Sequence, residues 1–102
     1  MQHLLTNEDR AALPPLYATE EQKETAVIVP LRFYAAGTYW SWYPVEFDGD
    51  DIFFGLVNGH EAELGYFSLS ELESHPLVRR DETWTPRPLA EMRAAVDAER
   101  RA

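Results

Sequence analysis

Tyr39-Trp-Ser-Trp-Tyr-Pro-Val-Glu-Phe47, Asp48-Gly-Asp-Asp51, Ile52-Phe-Phe-Gly-Leu-Val57, Asn58-Gly-His-Glu-Ala62, Glu63-Leu-Gly-Tyr-Phe67 and Ser68-Leu-Ser-Glu-Leu72 form one continuous stretch, and its reading decides the fold. It holds two of the three tryptophans and most of the phenylalanines and tyrosines. Aromatic and β-branched runs separated by Asp48-Gly49 and Asn58-Gly59 are the pattern of consecutive antiparallel strands joined by tight turns. The strands expected are Tyr39 to Phe47, Ile52 to Val57 and Glu63 to Phe67. Along the first, Trp40, Trp42 and Glu46 alternate against Tyr39, Ser41, Tyr43, Val45 and Phe47. Aromatic residues on both parities predict that both faces of the sheet are at least partly covered.

Upstream, Ala26-Val-Ile-Val-Pro-Leu-Arg-Phe-Tyr34 predicts a further strand with Val27, Val29, Leu31 and Phe33 on its apolar side. Pro30 has no N–H to donate, which places this strand at an edge or gives it a bulge. Nearer the N-terminus, Thr6 or Asn7 can cap a short helix that stops before Pro14-Pro15. Thr19 to Thr25 is a polar connector. Downstream, Ser68-Leu69-Ser70-Glu71 matches a capping box and predicts a short helix to about Ser74. Leu77 to Pro86 is expected either to be irregular or to hold a last short strand around Glu82 to Thr85. Pro88 suits the first turn of a terminal helix with a stripe of Leu89, Met92 and Val96, and Arg100 and Arg101 suit its C-terminal dipole. The expectation is a single α+β domain over residues 1–102. It contains a four-stranded antiparallel β-meander, with room for a fifth short strand, flanked by short N- and C-terminal helices.

Composition narrows the function classes. At 45% hydrophobic residues the chain can bury a real core, and no apolar window is long enough to span a bilayer. The N-terminal residues lack a basic region followed by an apolar secretory core, so the cytoplasm is the expected compartment. With no cysteine, disulfides, thiolate metal sites and cysteine nucleophiles are all excluded. The net charge of −9 is uneven: residues 26–75 carry eight acids against the single base Arg32. Such a field repels phosphates and argues against direct nucleic-acid binding.

Three groups of residues could carry chemistry. Asp48, Asp50 and Asp51, with Glu46 nearby, are the densest acids, and oxygen ligands in a turn are what Ca²⁺ or Mg²⁺ needs. Their spacing is not that of a calcium loop, and a charged hairpin turn is the simpler expectation. His60-Glu61 is a neighbouring histidine–carboxylate pair, able in principle to work as a general base, but no nucleophile or second histidine accompanies it. Trp40 and Trp42, two residues apart and with Tyr43 beside them, could form a stacking surface or pack into the core. Gly55 and Gly65, inside strands, are expected to let an aromatic ring lie over the backbone.

The chain also resembles a bacterial family known as domain-of-unknown-function family 2958. The residues that carry the resemblance are Leu13-Pro-Pro-Leu-Tyr-Ala-Thr-Glu20, Trp40-Ser-Trp-Tyr43, Asp51-Ile-Phe-Phe-Gly-Leu-Val57 and Gly59-His-Glu-Ala-Glu-Leu-Gly-Tyr-Phe-Ser-Leu-Ser-Glu-Leu72. Leu4-Leu-Thr6, Arg80-Asp81 and Pro86-Arg-Pro-Leu89 extend it along nearly the whole chain. The resemblance implies a bacterial setting, often on plasmids and other mobile elements, and assigns no activity to any residue. The expected function is a non-enzymatic module that binds another protein through Trp40, Trp42, Tyr43, Asp48, Asp50, Asp51, His60 and Glu61, with no cofactor and no membrane contact. The alternatives are a small metal-dependent enzyme using the acidic turn and His60, or an acidic inhibitor that imitates DNA.

Overall fold

The computed structural model describes residues 3–102. In chain order the elements are α1 (Asn7–Ala12), β1 (Ile28–Val29), β2 (Phe33–Ala35), β3 (Ser41–Phe47), β4 (Ile52–Asn58), β5 (Ala62–Ser68), α2 (Leu69–Ser74), β6 (Val78–Arg80), β7 (Arg87–Pro88) and α3 (Leu89–Arg101). Five strands form one antiparallel sheet in the order β5-β4-β3-β2-β6. The fold is therefore α+β, with a meander from β2 to β5 and helices at both ends of the chain.

Two expectations about the strands are corrected. The single strand from Ala26 to Tyr34 is two short ones separated at Pro30, where the missing N–H interrupts any ladder. Only β2 joins the main sheet; β1 leaves it and pairs with β7 as a separate two-stranded ribbon. The alternation holds through the break, because Val27, Val29, Leu31 and Phe33 are all buried. The fifth strand is Val78–Arg80, bonded to β2 at the sheet edge, and not Glu82 to Thr85. That latter segment is a loop pinned by the Trp84 indole, which donates to the Val29 carbonyl at 3.1 Å and packs on Tyr43.

The sheet separates two apolar clusters. On the first face, Phe53 lies among Phe33, Phe47 and Phe67 at ring separations of 5.8, 4.6 and 5.2 Å, and Leu4, Leu13, Leu69 and Leu72 from the N-terminal segment and α2 close over them. On the second face, Leu89, Met92 and Val96 of α3 cover Tyr43, Val45 and Leu56. Each cluster collects its side chains from non-adjacent segments, so burial ties the chain ends to the meander.

A bulge between Pro44 and Glu46 changes the parity of β3. Val45 is the extra residue, so Tyr43, Val45 and Glu46 all belong to the second face while Phe47 joins Trp42 on the first. This reverses the sequence expectation for Glu46 and Phe47, which assumed unbroken alternation. Opposite the bulge stands Gly55. A Cβ there would lie inside the Tyr43 carbonyl and 2.7 Å from Pro44 Cα, so only glycine lets the two backbones approach.

The N-terminal helix is fixed by charge as well as by burial. Thr6 and Asp9 form a reciprocal capping box, and the Asp9 carboxylate also takes both Arg80 guanidinium nitrogens, at 2.9 Å for Nη2 to Oδ1. Burial alone would raise the Asp9 carboxyl, but the bonds from Arg80 and Thr6 outweigh it and hold the group below its ordinary value. A carboxyl depressed in the folded state contributes stability that is complete above its unfolded value near 4 and is lost as pH falls through the lower folded value. We therefore expect urea stability to fall below about pH 4. Asp9→Asn should cost about 1–3 kcal/mol at pH 7 and flatten that acid limb. An unchanged acid limb in the variant would show that the Asp9–Arg80 contact is not what the folded state loses.

Candidate functional site

The sequence-selected residues divide into three places. Trp40 and Trp42 are half-buried on the first face, packed against the edge of its apolar cluster, with rings 5.9 Å apart. The exposed Tyr39 stacks on Trp40 at 6.4 Å, and the His60 ring meets it edge-on at 5.2 Å. Trp42 reaches inward to the Phe33–Phe53 cluster. Tyr43 does not join this surface. It is buried on the other face against Trp84, and its hydroxyl accepts from Arg32 Nε at 3.4 Å. A neighbour in sequence on a strand is a neighbour on the opposite face.

Gly59 explains how Trp40 lies down. A Cβ on Gly59 would sit 2.9 Å from Trp40 Cε3 and closer still to the ring's far edge. The expectation of a ring over glycine therefore applies to Gly59; Gly55 faces backbone, and nothing lies over Gly65. Arg100 of α3 holds the same turn from the other side. Its guanidinium donates to Asn58 Oδ1 at 2.7 Å, to the Gly59 carbonyl at 2.9 Å and to the His60 carbonyl. The terminal arginine thus fixes the platform's hairpin in addition to complementing the helix dipole. His60 and Glu61 themselves remain exposed beside Glu63.

The acidic turn is committed to structure. Asp48 Oδ1 accepts the backbone N–H groups of Asp50, Asp51 and Ile52 at 2.8, 2.8 and 3.0 Å, and these bonds lower its carboxyl. Asp51 accepts from the Ser68 hydroxyl and the Ser70 N–H, both at 2.7 Å, so it tethers the start of α2 and is lowered in turn. Asp48 and Asp50 are both exposed, and of the three turn acids Asp50 alone has a carboxylate with no hydrogen-bond partner among the described residues. Among the described residues no three histidine, aspartate or glutamate side chains are grouped to hold a metal ion. The lone base of the acidic segment, Arg32, is also occupied: it pairs with Asp81 at 3.1 Å and donates to Ser41 at 2.9 Å.

Glu46 was a candidate metal ligand in the sequence, grouped with the turn. The bulge places it elsewhere, 3% exposed, where it accepts the Tyr17 N–H at 2.8 Å, the Thr19 N–H at 2.9 Å and the Thr19 hydroxyl. It forms part of the wall of a cleft of about 260 Å³ on the second face. No motif marks this cleft, because its residues come from segments as distant as Tyr17 and Leu89.

Two outcomes check these assignments. Gly59→Ala should displace the Trp40 ring, moving its indole N–H resonance, and cost about 1–3 kcal/mol. An unmoved resonance would mean the ring does not lie over Gly59. Millimolar Mg²⁺ or Ca²⁺ should shift Tm by less than about a degree, since the turn's oxygens already have protein donors. A rise of several degrees that disappears in Asp50→Asn would restore the metal site.

No helix among the described residues is long and apolar enough to cross a membrane. In comparisons with known proteins, no family model, no curated protein and no solved structure matches the chain.

Proposed function

We propose that the protein is a non-catalytic interaction module of the bacterial cytoplasm that docks a basic partner protein on the Tyr39–Trp40–Trp42–His60 surface. The observation that carries this reading is the pair of half-buried tryptophans in contact with each other, with the exposed Tyr39 and His60 against Trp40 and Glu61 and Glu63 beside it. Tryptophan and tyrosine in such positions supply large contact area at small entropic cost. Flanking acids add steering toward basic partners over roughly 10 Å at 0.1 M salt. The resemblance to family 2958 supports a plasmid or mobile-element setting. The metal-enzyme alternative is weakened by the structural engagement of Asp48 and Asp51. A DNA imitator needs acids in a regular row along an elongated face, whereas this molecule measures 34 × 32 × 23 Å and spreads its acids over all three helices, two strands and the turns.

The experiment is affinity capture from a bacterial host, followed by binding kinetics with the recovered partner. Trp40→Ala should raise the dissociation rate about tenfold or more, as expected for a central aromatic contact. Glu61→Gln with Glu63→Gln should slow association and flatten its salt dependence while leaving dissociation nearly unchanged. Binding indifferent to Trp40→Ala would remove this surface from the account.

A further inference from the structure

The cleft on the second face is an unassigned site. Val27, Val45, Phe54, Leu64 and Leu89 make its floor, and the exposed Tyr17 and Tyr66 stand at its mouth. At about 260 Å³ it falls below the roughly 300–1,000 Å³ of pockets for drug-sized ligands, and it suits one side chain or a molecule of that size. Its charged lining residues are all acids: Glu20, Glu24 and Glu46. Glu24 is paired with Arg93 at 3.3 Å. Among the described residues, Glu46 and Glu20 have no ion-pair partner. Glu46 is 3% exposed, and the three donors that meet its carboxylate are all neutral.

The bonding of Glu46 indicates what kind of cation fits. A carboxylate offers about four acceptor positions. Oε2 takes two donors from Thr19 and Oε1 takes one from Tyr17, so a single position on Oε1 remains. One open position matches one N–H of an ammonium and not the paired donors of a guanidinium. The tyrosine rings at the mouth add faces that attract cations. Tyr17 is held there with φ of +72°, a left-handed conformation rare for a bulky residue, and its N–H is bonded to Glu46. Partial desolvation, the hydrogen bond with the Tyr17 side chain and the negative field of Glu46 and Glu20 push the Tyr66 phenol above its ordinary value.

We propose that this cleft binds a primary ammonium group on an aliphatic stem, the ammonium at Glu46 and Glu20 and the stem against the apolar floor. The source of that chemistry is either a free alkylamine or the lysine side chain of a polypeptide. The site lies on the face opposite Trp40 and Trp42, so it stands or falls independently of the proposed docking surface.

The test is an amide NMR titration of the full chain at pH 7 and constant ionic strength, using n-butylammonium, neutral n-butanol and Nα-acetyl-lysine methylamide. Butylammonium should give saturable shifts at Thr19, Glu46, Leu64 and Tyr66, with n-butanol at least tenfold weaker. Glu20→Gln, which alters an exposed side chain, should weaken butylammonium several-fold, and Glu46→Gln should abolish its binding. If Glu46→Gln does not fold, the butanol comparison and Glu20→Gln still decide. Tighter binding of the capped lysine assigns the cleft to a polypeptide, and tighter binding of butylammonium assigns it to a free amine; either upholds the ammonium site. Equal affinity for butanol, or shifts that stay linear and spread over the acidic surface, overturns it.

Discussion

The bulge at Pro44–Glu46 is the constraint on which most of the structure depends. Without it, Glu46 would point into the apolar phenylalanine and leucine cluster around Phe53, where burying a carboxylate is costly. With it, Phe47 takes that place and Glu46 moves to the face where the Tyr17 and Thr19 N–H groups meet it. The Tyr17–Thr19 segment is held to the sheet by this exchange. The Phe47 N–H bonded to the Pro14 carbonyl at 2.9 Å completes the attachment. Gly55 is the second half of the device, because the bulged backbone lies where any larger residue would put its Cβ.

Charge is used in this protein mainly to fix backbone. Asp48 gathers three N–H groups of its own turn, Asp51 tethers α2, Asp9 joins α1 to β6 through Arg80, and Glu73 accepts the Leu4 N–H at 2.9 Å. Each is a short-range contact with a backbone or side-chain donor, and such charge-assisted bonds are stronger than neutral ones. Among the described residues, the exposed acids without such a contact include Asp50, Glu61 and Glu63 near the hairpin ends, Glu20 at the cleft, and Glu8, Glu21, Glu71, Asp97 and Glu99 elsewhere.

The two surfaces left open differ in kind. The tryptophan platform is broad and shallow, and Arg100 and Gly59 keep its hairpin in one geometry. The Glu46 cleft is narrow, with a buried anion at its wall and rings at its mouth. The first suits a protein surface and the second a single cationic group. They occupy opposite faces of the same sheet, so one domain can present both at once.

The strands β3, β4 and β5, their turns and the capped helix α2 were legible in the sequence because each depends on residues within a few positions. Asp48-Gly49, Asn58-Gly59 and Ser68 to Glu71 carry their own local hydrogen bonds. The apolar side of Val27 to Phe33 was legible for the same reason, since period-two alternation survives a break in pairing. The pairing of β1 with β7, the place of β6 at the sheet edge and the bulge were not legible, because they are settled by long-range competition for backbone donors. Tyr43 was grouped with Trp40 and Trp42 as a site residue although sequence parity already set it on the other face. Glu46 was grouped with the acidic turn because it lies two residues before Asp48. Sequence alone determined which residues wanted burial or a turn; tertiary structure decided which face Glu46 occupied, since only the folded chain brings the N–H groups of Tyr17 and Thr19 to it.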